Sequence, residues 1–252
     1  MVASKNLESL AVIQARTSSK RLPGKVLKPV NGRPILEWQT MRVVRTLGPS
    51  QVVMATSVEV ADDGIEGIAS RCGIQTVRGS LNNVFSRFAK IAEIYSPRTI
   101  IRITGDCPLF MPKLCEVMLG EFLVSDVDYL SNTLTPTFPD GCDIEVFSTR
   151  ALRMLQSEKL TPAELEHVTL GIYSRKMKFK CVNYFNERDE SSHRWTLDTP
   201  DDLEFVTRVY ENFAGSELTF NYEDVMKFLR ENPTFARYDD GSMRNSGSKN
   251  VE

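Results

Sequence analysis

The chain has 252 residues, of which 41% are hydrophobic and 25% charged, a balance that buries a sizeable core and excludes a disordered chain, a collagen-like repeat or a disulfide-dense scaffold. Its 31 basic and 33 acidic side chains leave a formal net charge of −2, without the basic excess of a protein that coats nucleic acid. No run of about 18 apolar residues offers a membrane span, the first residues lack the order of a secretory signal, and five cysteines without a C-x-x-C pair read as reduced thiols of a cytoplasmic protein.

The mostly apolar stretch LAVIQA, residues 10–15, reads as a buried strand feeding a polar loop that runs to residue 32. Pro34 opens an amphipathic segment in which Ile35, Trp38 and Met41 recur at helical spacing, and Gly48-Pro49 stops it. Strand-like runs follow at residues 51–56, 74–79 and 99–104, alternating with helical patterns at 63–72 and 82–95. In the second of these helices Val84, Phe88, Ile91 and Ala92 share a face, and Phe85, Phe88 and Tyr95 read as core rather than as stacking platforms. Alternation of this kind implies parallel pairing through crossovers, hence an α/β protein with a mostly parallel central sheet and helices on both faces. The second half is less regular. A helix from Pro112 leads to strands near 127–132 and 143–147, a helix follows Ser148 or Thr149, and Thr161-Pro162-Ala163-Glu164 has the form of a capping box. Residues 179–185 and 193–197 look strand-like, Thr199-Pro200 starts a helix through Tyr210, and from 234 the chain turns polar, giving one domain over 1–233 and a tail over 234–252.

Charge is concentrated in one place. Between Glu8 and Glu37 there is no acidic residue, yet Arg16, Lys20, Arg21, Lys25, Lys28 and Arg33 all fall there, so the remaining 25 cations face all 33 acids. Six cations on a loop between a buried strand and a helix make an anion site, in which amides exposed near Gly24 and the Arg and Lys side chains could hold phosphate oxygens. The loop is not a Walker A motif, because Ser19 and Val26 stand where Gly and Ser or Thr are required, and no G-x-G-x-x-G occurs. Asp106 ends the strand TIIRIT in the turn GDCP, and Asp198 follows HRWTL. Two such carboxylates could share Mg²⁺, which needs only one or two carboxylates besides substrate phosphates. Asp198 also suits a helix cap before Thr199-Pro200.

The loop sequence A-R-x-x-S-K-R-L-P-G-K after a strand resembles the signature of the cytidylyltransferases that activate acidic sugars, the CMP-Kdo and CMP-sialic acid synthetases among them. The blocks IQARTSSKRLPGKVL, RITGDCPL, PDGCDIEVFS, ELEHVT and HRWTLDTPDDLEFV, in order over residues 10–210, resemble most the SpsF-like branch named for spore-coat polysaccharide biosynthesis. Gln14 stands where several acidic-sugar branches carry proline. The resemblance implies a nucleotide-diphospho-sugar transferase-like fold and a reaction in which a sugar hydroxyl attacks the α-phosphorus of CTP, releasing pyrophosphate. It places Arg16 and Lys25 on the triphosphate as catalytic groups, within a nucleotide-binding set of Ala15, Arg16, Lys20, Arg21, Gly24 and Lys25. It gives the catalytic magnesium to Asp106 and Asp198, and implies a homodimer. The block with Asp140, Gly141, Asp143 and Glu145 suggests bonds to sugar hydroxyls or a second metal position, with a polar strand edge as the plain alternative. His193 and Arg194 would face substrate or a partner subunit. His167 reads as a helix-surface or packing residue, and Cys107, with no activating histidine nearby in sequence, is not expected to be a nucleophile. Another nucleotide, a non-sugar acceptor, or a non-catalytic nucleotide-binding role on the same fold are the competing readings.

Overall fold

In strand β1 (Ser9–Gln14) Leu10 and Val12 face one way and Ala11 and Ile13 the other, and both sets are fully buried, as a central strand covered on two faces requires. The computed structural model describes residues 7–175 and 177–239. Its strands are β1, β2 (Pro29–Val30), β3 (Arg33–Pro34), β4 (Val52–Ser57), β5 (Gln75–Gly79), β6 (Thr99–Thr104), β7 (Tyr129–Ser131), β8 (Glu145–Ser148) and β9 (Cys181–Asn183). Its helices are α1 (Ile35–Leu47), α2 (Asp63–Arg71), α3 (Val84–Tyr95), α4 (Pro112–Val124), α5 (Thr149–Gln156), α6 (Pro162–Glu166), α7 (Leu170–Tyr173), α8 (Pro200–Asn212) and α9 (Tyr222–Glu231). Strands β2 and β3 form a small ribbon, and the rest make one sheet in the order β5-β4-β1-β6-β8-β7-β9. The sheet is mostly parallel, as expected. Strand β8 alone runs antiparallel to its neighbours, β6 and β7.

The helices divide between the two faces. Helices α1, α2, α4, α8 and α9 pack on Ala11, Ile13, Met54, Ile101 and Ile103, while α3, α5 and α7 pack on Leu10, Val12, Val53, Ile100 and Phe147. In β1 and β6 the register Leu10↔Ile100 through Gln14↔Thr104 brings both carboxyl ends to the same edge, where ligands of open α/β sheets bind. Gly105 is required at that edge, since a Cβ there would lie 2.9 Å from that of Ala15.

Helix α1 fixes the turn after β6. Gln39, fully buried, donates through Nε2 to the carbonyls of Thr104 (2.8 Å) and Cys107 (2.7 Å). One turn on, Arg42 makes four hydrogen bonds to the carbonyls of Phe110, Glu217 and Phe220 and lies 3.9 Å over the Phe220 ring. Burial pulls this guanidinium down to about 10, so it remains a cation at neutral pH.

Two expectations change here. Residues 193–197 join no strand of the sheet and carry only isolated bridges, Asp140 to Arg194 and His193 to Tyr238. Trp195 and Leu197 are buried by loops and helices instead, which imitates the alternation of a strand. The expected tail begins too early, because residues 236–239 return to the body: the Arg194 N–H donates to the Arg237 carbonyl (2.8 Å) and the Asp239 N–H to the Ser192 carbonyl (2.8 Å). The rest of the expected tail, 240–252, lies outside the described residues. Among the described residues no helix is long and apolar enough to cross a membrane. Replacing Arg42 with Leu strands three buried carbonyls, and urea unfolding should show a loss of about 3 kcal/mol or more; a change within about 0.5 kcal/mol would show that the clamp is dispensable.

Candidate active site

A buried carboxylate shapes the basic loop. Asp62, 1% exposed, accepts from the Thr17 N–H (2.8 Å) and hydroxyl (2.6 Å) and from the hydroxyls of Ser57 (2.5 Å) and Thr56 (3.2 Å). Burial would raise its pKa, but the hydrogen bonds from Ser57, Thr17 and Thr56 outweigh that and hold it below the ordinary carboxylate value. The Thr17 carbonyl then takes the N–H groups of Ser19 (2.8 Å) and Gly24 (3.0 Å), folding the loop back on itself. Gly24 sits at φ 67°, where a side chain would be strained. Its amide is spent inside the loop, so the expected amide contact to phosphate is not available from Gly24.

This fold turns Lys25 inward. Its ammonium lies 2.7 Å from Asp198 Oδ1 and 3.4 Å from Asp106 Oδ2, with the side chain only 10% exposed. Burial works against the charge, but Asp106 and Asp198 more than compensate and leave Lys25 above its ordinary value. Asp106, itself pushed up by burial and pulled down by Lys25 and Thr104, ends below the usual carboxylate range. Asp198 also meets Arg21 (2.9 Å) and Arg194 (3.4 Å). Ala15, which lines the cleft, is anchored by its own N–H to Ala55 (3.1 Å) and by the Thr56 hydroxyl on its carbonyl (2.9 Å).

Asp198 reaches Asp106 without a strand. The Leu197 N–H donates to the Asp106 carbonyl (2.8 Å), and Arg194, 4% exposed, fixes the segment from below by bonding Asp202 (3.0 and 3.1 Å) and Asp140 (3.2 Å). The cap of α8 belongs to Thr199 and Asp202, whose side chains bond each other's backbone N–H. Asp202 accepts the Asp198 N–H as well (2.9 Å), and the Asp198 carboxylate is thereby left to the cations, which settles the cap alternative. Arg237 adds a second guanidinium to Asp202 (3.3 Å).

Around this cluster opens a cleft of about 990 Å³ at the carboxyl ends of β1 and β6. Arg16, Lys20 and Arg21 border it, together with Asp140, Asp143 and Arg194. Arg16 is paired across the mouth with Glu166 of α6 (3.3 Å). Three expected substrate residues do not face it. Glu145 spends its carboxylate on Arg102, Tyr129 (2.6 Å) and Thr169 (2.5 Å) inside the sheet. Gly141, at φ 110°, lets its loop press on residues 195–196, where a Cβ would lie 2.5 Å from the Trp195 carbonyl carbon. His193 is buried against Tyr238, ring centroids 4.9 Å apart, with Nε2 3.5 Å from Glu190. Conversely, the cleft includes Gln14, Arg87, Arg102, Glu166 and His167, which the sequence reading did not assign to it. A lone arginine within the apolar strand TIIRIT and another on the apolar side of α3 were the signals available. Cys107 is buried and its thiol is pushed well up, first by burial and then by Asp143 and Asp106, which removes it as a nucleophile.

A hard divalent cation suits Asp106 and Asp198. Both present oxygen donors, both already converge on one ammonium, and Asp106 keeps a side chain 42% exposed toward the cleft. No group of three metal-ligating side chains occurs among the described residues, so phosphate oxygens and water would complete the shell.

A cytidylyltransferase family model matches residues 10–228. The chain belongs to the cytidylyltransferase family. It is 32% identical over 236 residues to the spore coat polysaccharide biosynthesis protein SpsF of Bacillus subtilis, covering 90% of this chain and 96% of that one. A solved cytidylyltransferase from Leptospira borgpetersenii superposes with a TM-score of 0.86 at 35% identity, over 91% of this chain and 96% of the other. A 3-deoxy-manno-octulosonate cytidylyltransferase of Synechococcus elongatus is 30% identical over 134 residues, 52% of this chain and 53% of that one. This cytidylyltransferase is therefore a nucleotidyltransferase with a nucleotide-diphospho-sugar transferase-like fold.

Lys25→Met removes the buried cation from beside both aspartates and should lower kcat about a hundredfold or more, with a smaller change in KM for nucleotide. An unchanged kcat would exclude Lys25 from the transition state. With Asp106 ionised from below the usual carboxylate range and Lys25 charged to above the usual amine range, neither titrates between about pH 5 and 9. A pH profile of kcat/KM should show no limb that Lys25→Met removes within that window.

Proposed function

We propose that this cytidylyltransferase transfers CMP from CTP to an acidic, keto-acid sugar in a Mg²⁺-dependent reaction that serves surface polysaccharide or glycan synthesis. The observation that carries the reading is Lys25 between Asp106 and Asp198 at the carboxyl edge of the sheet, with Arg21 on the same carboxylate. Supporting it are the likeness to SpsF over nine-tenths of the chain and, over half of the chain, to a 3-deoxy-manno-octulosonate cytidylyltransferase.

The residues act as follows. Arg16, Lys20 and Arg21 draw the triphosphate onto the loop, and Lys25 offsets negative charge that builds as the bond from the α-phosphorus to pyrophosphate breaks. A sugar hydroxyl oxygen forms the new bond in line with the leaving group and loses its proton. Asp106 and Asp198 would hold magnesium, whose chemistry is to neutralise and align the phosphates. Arg194, held by Asp202 and Asp140, keeps Asp198 in place.

Pyrophosphate release, measured with each of the four nucleoside triphosphates and a panel of keto-acid sugars, should occur with CTP and Mg²⁺ and stop on chelation. Asp106→Asn should lose turnover while titration calorimetry still detects CTP. Absence of release with CTP and every acidic sugar would remove this reading, and release with another triphosphate would redirect it.

A further inference from the structure

Beneath the cleft, on the side of β8, lies a relay of buried polar groups. The hydroxyls of Tyr129 and Thr169 donate to Glu145 Oε1, Glu145 Oε2 takes Arg102 Nη1, and Arg102 Nε donates to Gln14 Oε1 at 3.1 Å. The relay decides which way two side chains end. Because Oε1 of Gln14 faces a guanidinium, its Nε2 is the other terminus, and Gln14 borders the cleft. Arg102 also borders the cleft, and with Nε and Nη1 used, Nη2 meets no protein acceptor among the described residues. Neither nitrogen is sealed inside the protein as an orphan. Two N–H donors thus belong to residues that border the cleft and meet no protein acceptor among the described residues.

Their place in the sheet indicates what they meet. Passing across it, the loop after β5, which contributes Leu81 and Asn82 to the cleft, comes first, then β1 with the basic loop, then β6 with Arg102, then β8 with Glu145. Pyrophosphate leaves toward the basic loop, and in-line displacement brings the acceptor from the opposite side of the α-phosphorus, toward β6 and β8. The cation on that side is paired with Glu145 and also feels Asp106, which suits one planar, singly charged group rather than another phosphate.

We propose that Arg102 Nη2 and Gln14 Nε2 recognise the carboxylate of the acceptor sugar, with Glu145 as the positioning residue that aims Arg102. This rests on the reading above that the acceptor is a keto-acid sugar. It assigns the polar relay a part in choosing the substrate.

The test uses the full chain and the keto-acid sugar of highest turnover from a panel containing 3-deoxy-manno-octulosonate and N-acetylneuraminate, each compared with its methyl ester. Gln14→Leu and Arg102→Lys should raise KM for the acid roughly ten- to hundredfold, the loss expected for one charge-assisted hydrogen bond, and leave KM for CTP and for the ester unchanged. Gln14→Glu, which sets a carboxylate against the incoming one, should raise it most. A merely structural role would not alter the ratio of acid to ester. The Gln14 variants keep the Arg102–Glu145 pair, so they decide the matter even where Arg102→Lys fails to fold. An acid-to-ester ratio unchanged in Gln14→Glu, or an effect confined to CTP, overturns the proposal while the parent still turns over. A parent inactive with CTP and every keto-acid sugar overturns the underlying reading and this one with it.

Discussion

The site depends on one buried ammonium. Lys25 is drawn into a place 10% exposed because two carboxylates, 81 and 173 residues away in sequence, meet it there. A charge so placed is costly unless paired, and an aspartate so placed is costly without a cation, so loop, β6 turn and the approach to α8 each stabilise the others. Remove Lys25 and Asp106 loses the cation it faces, while Asp198 keeps only Arg21 and Arg194. The arrangement fixes its charges at the edge where ligands of open α/β sheets bind.

Support for that pair comes from groups that never face the cleft. Asp62 shapes the basic loop, Gln39 holds the carbonyls on either side of Asp106, and Asp202 receives Arg194 while capping α8. Each is buried; Asp62 and Asp202 bond backbone as well as side chain, and Gln39 bonds backbone carbonyls. Precision at the site is thus supplied from three separate elements, α1, the turn before α2, and the start of α8, all packed on the same face of the sheet.

Much of this was legible in the sequence, for physical reasons that differ by residue. The acid-free interval marked Lys25 and its loop, because charge segregated between a strand and a helix is visible without coordinates. Asp106 was legible from the apolar strand that ends beside it. Asp198 was ambiguous, since T-P-D-D offers several carboxylates for one helix start, and only the structure shows Asp202 taking that task. Arg102 and Arg87 were hidden because their partners are carbonyls and side chains that only the folded chain assembles. Glu145 was misread for the same reason: its acidic neighbours suggested a ligand surface, whereas Arg102 across the β6–β8 pairing claims it. The stretch HRWTL misled in another way, because apolar Trp195 and Leu197 alternate with polar residues in sequence although loops and helices bury all five.

The return of residues 236–239 carries a consequence for how the enzyme comes into being. The wall bearing Arg194 is held from behind by the Arg237 carbonyl, the Arg237 guanidinium and Tyr238, which follow every helix and sheet strand among the described residues. A chain made from its N-terminus completes the sheet, the basic loop and both aspartates while this backing is still unsynthesised. The family match ends at residue 228, before the backing begins. Completion of this wall of the cleft is therefore a late event in the life of each molecule, one that waits for residues 236–239 to be delivered.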